Sequence, residues 1–366
     1  MSSLSSLPDA LLYHALTFVG ENDDARCAGL DKSWARLRRV WVICRLSKYP
    51  FAGTPGTLTR RTGQVIAAAF SCDGKLLAVG AKDDVLTVYD AATGALRRTF
   101  ARGEWADCVA FSPTDSTVLA AGGDRGIITC NVATGESCQV WRAADFFASD
   151  SVAYSPDAST IAFCGYDLAA VIDIDGVRGV GPARVLTTSD GLSIHGAAFS
   201  PTGSVLAVGI GTKVKCFDLA TGHVRSEIEH GVDVWSVAYS PLGTVSAGGD
   251  FGKVAFYDAS TGQLQRELRS VSPEFSSRGQ SVLQSCFSPD GSTFASQGSD
   301  LGYATIAIYD AETGQLRREL NRKIGQSIGA VTFSPDGQTL AVGDYDGKVA
   351  LYEVATGELR RMRRQP

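Results

Sequence analysis

The residues of this 366-residue chain best suited to nucleophilic or metal chemistry are four histidines and nine cysteines, and their spacing argues against both uses. His14, His195, His223 and His230 lie too far apart to suggest a metal box. The cysteines, at 27, 44, 72, 108, 130, 138, 164, 216 and 286, are odd in number and form no Cys-x-x-Cys. Cys216 and Cys286 alternate with apolar residues, the pattern of buried thiols in a reducing compartment, cytosol or nucleus. No Gly-x-Ser-x-Gly elbow, phosphate loop or His-Glu-x-x-His occurs. Gly122-Gly123-Asp124-Arg125-Gly126 and Gly248-Gly249-Asp250-Phe251-Gly252 each fall between two predicted strands, so they read as hairpin turns. Asp344-Tyr345-Asp346 reads as a solvated turn former rather than a cation site. The expectation is no catalytic residue, no metal and no cofactor. An enzyme with a central site, the weaker alternative, would need convergent carboxylates, histidines or a cofactor cage, and the Asp residues here are scattered.

Bulk properties narrow the class further. A hydrophobic share of 44% with 20% charge describes a soluble globular chain. A net charge of −5 argues against a nucleic-acid binder. No apolar run is long enough for a membrane span. Met1 to Gly20 has no basic start and carries Asp9 and His14 inside its apolar part, a poor signal peptide.

The elements that must position any site come from one repeated phrase. Its clearest copy is Phe333-Ser334-Pro335-Asp336-Gly337, followed by the apolar run Thr339-Leu340-Ala341-Val342. Ser or Asp suits position i of a type I turn, Pro suits i+1 and Gly suits i+3. Other copies start at Phe70, Phe111, Tyr154, Phe199, Tyr239 and Phe287, spaced 40 to 48 residues apart. That period predicts a ring of seven four-stranded blades over residues 57–366. The strands of each blade are called a to d from the axis outwards. Strand b is apolar on both faces, as in Leu77-Ala78-Val79, which fits a sheet between two sheets. The residue before the closing aromatic of strand a is small in every blade (Ala69, Ala110, Ala153, Ala198, Ala238, Cys286, Thr332), as crowding round an axis requires. A Thr-Gly pair marks the c–d turn in six blades. Blade 3 lacks it and is expected to be the least regular. Arg97, Arg98, Arg225, Arg266, Arg317, Arg318, Arg360 and Arg361 recur on the outer strands, where charge guards exposed edges. Leu359-Arg360-Arg361-Met362 is expected to close the last blade as a local hairpin, because short loops cost little entropy. Leu58-Thr59-Arg60-Arg61 is the competing candidate.

Residues 1–48 read differently, as helices. Leu12, Ala15, Leu16 and Val19 share one helical face, and Trp34, Leu37 and Trp41 share another. Tyr49 to Gly56, with two prolines and two glycines, reads as a linker.

Leu7-Pro8-Asp9-Ala10-Leu11-Leu12, then Ala15-Leu16-Thr17-Phe18-Val19, then Lys32-Ser33-Trp34-Ala35-Arg36-Leu37 resembles an F-box. The blades resemble WD40 repeats, through the Ser-Pro-Asp-Gly turn, the loop carboxylates Asp84, Asp124, Asp250 and Asp346, and the Tyr-Asp-Ala-x-Thr-Gly exit. The Trp-Asp and Gly-His dipeptides of that family are absent. The fold expected is therefore mainly β, a seven-bladed WD40-type propeller with a small α-helical F-box-like module. The resemblance implies a substrate receptor of a cullin-RING ubiquitin ligase, in which Leu7, Pro8, Leu11, Leu12, Leu16, Phe18 and Trp34 contact the ligase adaptor that leads to the cullin scaffold. The unknown protein target is expected on the face carrying the d–a and b–c loops, whose aromatic and Arg residues are the usual anchors of interfaces: Trp105, Arg125, Tyr166, Phe251, Arg278 and Tyr345. About half of such side chains are expected to tuck between blades.

Overall fold

The computed structural model describes residues 57–360 apart from 60–62, 84, 102–105, 143–148, 166–167, 189–191, 270–280, 301–302 and 322–327. The expected helical module, its adaptor-contact residues and the linker lie outside the described residues.

Twenty-eight strands form seven antiparallel sheets of four, and no helix occurs among the described residues. Blade 1 is typical, with Val65–Phe70, Leu76–Ala81, Val85–Asp90 and Leu96–Ala101 as strands a to d. The innermost strands of successive blades pack side by side, and that of blade 7 packs back on blade 1. The core is correspondingly divided into seven apolar layers, one between each pair of neighbouring sheets. Close approach explains a glycine near the end of strand b. A Cβ on Gly80 would stand 2.4 Å from the carbonyl oxygen of Ala106 in the next blade. Blade 3 is the irregular one, with an 11-residue outer strand and two register shifts against strand c.

Each a–b turn closes on its serine. Ser71 Oγ donates to Asp73 at 2.7 Å and accepts from the Leu76 N–H at 2.9 Å, and Ser288 repeats both bonds with Asp290 and Thr293. Blade 3 puts Ala158 where other blades have glycine, and its φ of 61° is left-handed. The c–d turns close on the last carboxylate of strand c. Asp90 Oδ1 accepts the Thr93 N–H at 2.9 Å and its hydroxyl at 2.8 Å, and Asp218, Asp258 and Asp310 do the same with Thr221, Thr261 and Thr313.

Much of the arginine belt makes internal bonds. Arg97 pairs with Asp90 at 2.6 Å and Arg317 with Asp310 at 2.5 Å, within their blades. Arg98 donates to Ala133 O at 3.0 Å and Arg318 to Ala355 O at 2.8 Å, each reaching the c–d turn of the next blade. These two arginines clamp neighbouring blades together, a role the repeat pattern alone did not suggest.

The expected local closure is overturned. Thr57–Thr59 is the outer strand of blade 7, with Thr57 opposite Ala350 and Leu58 opposite Val349. Leu359 and Arg360 supply the start of that strand, through the Leu359–Tyr352 bridge and the Arg360 N–H bond to Leu351 O at 2.7 Å. Register supplies a reason. At this place other blades set apolar Phe100, Trp141, Ile228, Leu268 and Leu320 opposite strand c. Leu58 continues the series, whereas running the local hairpin onward would bring Arg363 there, and burying a charge without a partner is costly.

Candidate functional site

Strand a begins with a register shift in six of the seven blades, just inside its first residue or, in blade 6, its second. A bulge re-aims the side chain it carries. The residues skipped by the ladder are Ile66, Asp150, His195, Trp235, Leu283 and Gly329, with Gly196 skipped beside His195. Asp107 holds the equivalent place in blade 2, one residue before its strand. Cyclic adjacency of the seven strands gathers these positions into one mouth on the face of the d–a and b–c loops.

One arc of that mouth is polar and continuous across four blades. Asp150 Oδ2 lies 2.8 Å from His195 Nδ1. The His195 ring stacks on Trp235, with centroids 4.2 Å apart. Trp235 Nε1 donates to Asp250 Oδ1 at 2.7 Å, and Ser281 Oγ donates to the same oxygen at 2.8 Å. The other arc is apolar: Leu283, 37% exposed, then Gly329 and Ile66. Gln284 fixes this side, donating to Gly329 O at 2.8 Å and accepting the Val331 N–H at 2.9 Å.

Chemically, Asp150 and His195 form a carboxylate–imidazole pair of the kind that orients a general base. Here His195 Nε2 is buried and has no hydrogen-bond partner among the described residues, so the pair aims no base at the mouth. No cluster of three or more His, Cys, Asp or Glu could hold a metal ion among the described residues. Deeper in, His230 is fully buried with Nδ1 2.9 Å from Tyr257 Oη. Burial, and then the Lys253 ammonium, push its pKa down to about 4, so it is neutral near pH 7. This His–Tyr bond joins the link after blade 4 to strand c of blade 5. Cys108, Cys130, Cys164 and Cys216 are buried thiols outside any disulfide, whereas Cys72 is exposed, and burial pushes the Cys286 thiol up to about 12.

Of the residues expected to carry the target, Trp105, Tyr166 and Arg278 lie outside the described residues. Arg125 is exposed at its b–c turn, where its carbonyl accepts from Gln139 at 3.2 Å. Tyr345 is half-buried: Lys82 of blade 1 approaches its ring centroid to 5.9 Å, and a Cβ on Gly329 would lie 2.7 Å from it. It braces the junction of blades 7 and 1. Phe251 is the opposite case, 70% exposed and held at φ 58°, a left-handed conformation rare for a bulky residue. Leu192, 54% exposed, shares its face. The convergence of Asp150, His195, Trp235, Asp250 and Ser281 was missed from sequence. The available signal was the residue immediately after the first apolar residue of strand a, compared from blade to blade.

Residues 54–90 match the family model described as WD domain, G-beta repeat. Residues 224–363 match the model described as outer membrane protein assembly factor BamB. No curated protein sequence is similar enough to count as a match. The ring of seven blades is thus similar to WD-repeat propellers, an architecture that fits a protein-interaction adaptor.

Proposed function

We propose that the chain is an interaction adaptor in cytosol or nucleus, that its propeller holds a protein target on the mouth face, and that residues 1–48 couple it to a cullin-RING ubiquitin ligase as a substrate receptor. The observation that carries the target-binding half is Phe251: an exposed aromatic, in a conformation that costs free energy, beside the Asp250 hub. Strain of that kind persists where the surrounding structure and function require it. Exposed Leu192 and Leu283 extend an apolar surface on the same face. The ligase half rests on the F-box resemblance of Leu7 to Leu37. In this reading the protein does no bond chemistry; it raises the local concentration of the target near a ubiquitin-loaded enzyme.

Affinity purification of the full chain tests both halves. The ligase adaptor and a cullin should co-purify and should be lost with Leu11→Ser plus Phe18→Ser. The target should survive that change and be lost with Phe251→Gly. Recovery of a target without any ligase component would leave a WD-repeat scaffold unrelated to ubiquitination.

A further inference from the structure

We infer that the mouth seats a basic side chain borne on an apolar segment of the partner, an inference that rests on the reading of this face as the target surface. Several exposed or half-exposed carboxylates of the turns and outer strands hold a Lys or Arg within 4.0 Å, among them Asp73 with Lys75, Asp90 with Arg97, Glu227 with Lys213, Asp310 with Arg317 and Asp346 with Lys348. Asp150 exposes 35% of its side chain and meets only His195 among the described residues. Its Oδ2 is held by His195, and its Oδ1 has no hydrogen-bond partner among them. Asp107, at the equivalent ring position one residue before the neighbouring innermost strand, is a second carboxylate of this arc, itself engaged with a partner.

The surroundings suit the rest of a long cationic side chain. The stacked rings of His195 and Trp235 border Asp150 on one side. Trp235 is locked by Asp250, which Ser281 also holds, so the aromatic wall is pre-organised. Across the mouth Leu283 and Ile66 offer apolar surface to a methylene stem, and Phe251 offers it to the residues on either side. A guanidinium or ammonium would gain a charge-assisted bond to Asp150 Oδ1 and contact with aromatic rings. The same carboxylates repel an acidic segment.

The test uses the full chain and three fluorescein-labelled peptides, Ser-Leu-Arg-Leu-Ser and its lysine and citrulline counterparts. Citrulline keeps the shape of arginine and removes the charge. The arginine or lysine peptide should bind about tenfold more tightly than the citrulline one, as a hydrogen bond to a charged group implies. That preference should shrink between low and high salt. Asp150→Asn, which keeps an acceptor for His195, should reduce the charged peptides to the citrulline level. Glu267→Gln on the outer strand of blade 5 should change nothing. Equal binding of arginine and citrulline peptides, a preference that survives Asp150→Asn, or no binding of any peptide would overturn the inference. Phe251→Gly separates the two readings. If it weakens all three peptides alike while no charge preference exists, the face binds partners but not through a cation. If it leaves purification of the target unchanged, the target-surface reading itself fails.

Discussion

The two faces of the ring are built from the same repeat and end up unlike. On the face of the a–b and c–d turns, side chains close on their own backbone: Ser71 on Asp73 and Leu76, Asp90 on Thr93, Arg98 on the next blade. On the mouth face the bulged position of strand a varies from Ile66 through Asp150, His195, Trp235 and Leu283 to Gly329, and the buried His195 Nε2 has no hydrogen-bond partner among the described residues. The two left-handed non-glycine residues among those described divide the same way. Ala158 sits small in a turn, whereas Phe251 holds an exposed ring beside the mouth. A repeat that satisfies itself locally on one face leaves the other free to vary, and specificity belongs where satisfaction is incomplete.

The comparison breaks most sharply at Gly329, a mouth residue bound to structure rather than recognition. A Cβ there would stand 2.1 Å from Val65 O and 2.7 Å from the Tyr345 ring. Gly329→Ala should cost about 3 kcal/mol, the upper part of the usual range for overpacking, read as a lower denaturant midpoint. On the turn face, Ser288→Ala leaves the Thr293 N–H and the Asp290 carboxylate without their buried partner. It should cost about 2 kcal/mol with target binding unchanged.

Smaller changes of opposite sign sharpen the contrast. Ala158→Gly and Phe251→Gly each relieve a left-handed strain and should each add stability, about 1 kcal/mol or less. Only Phe251→Gly should lose the target. If the two behaved alike in binding, the division between faces would be wrong. The smallest effect is on acid tolerance. At Asp90 burial pushes the pKa up, but the Arg97 guanidinium and the Thr93 hydroxyl and N–H hold it at about 2; at Asp258, the Ser260 hydroxyl and Thr261 do so. Their folded values lie below the ordinary 3.8, so the stability they contribute is present above that pH and is lost as pH falls towards about 2. Melting temperature followed from pH 5 to pH 2 should fall through that window, and less so in Asp258→Asn.

Blade number, blade order and turn positions were legible because each depends on a few adjacent residues. Ser-Pro-Asp-Gly specifies its turn through contacts within five residues, and Asp-x-x-Thr-Gly through contacts within three. The expected irregularity of blade 3 was legible for the same reason, since its c–d link departs from that chemistry. Closure was misread because local loop entropy was weighed without the register opposite Val349, which is set against a strand near the other end of the chain. Of the residues expected on the target face, Phe251 is exposed as its place in a b–c turn suggested, but nothing in Tyr345 itself shows that Lys82 and Gly329 lie against it.

By itself the sequence determined seven self-closing blades and the buried thiols within them, because short-range turn bonds and apolar runs are encoded where they act. Only the tertiary structure decided that Asp150, His195, Trp235, Asp250 and Ser281 meet. They come from four blades: Asp150, His195 and Trp235 reach the mouth through shifts in pairing between strands, and Asp250 and Ser281 meet across two blades, a geometry that exists only once the ring is closed.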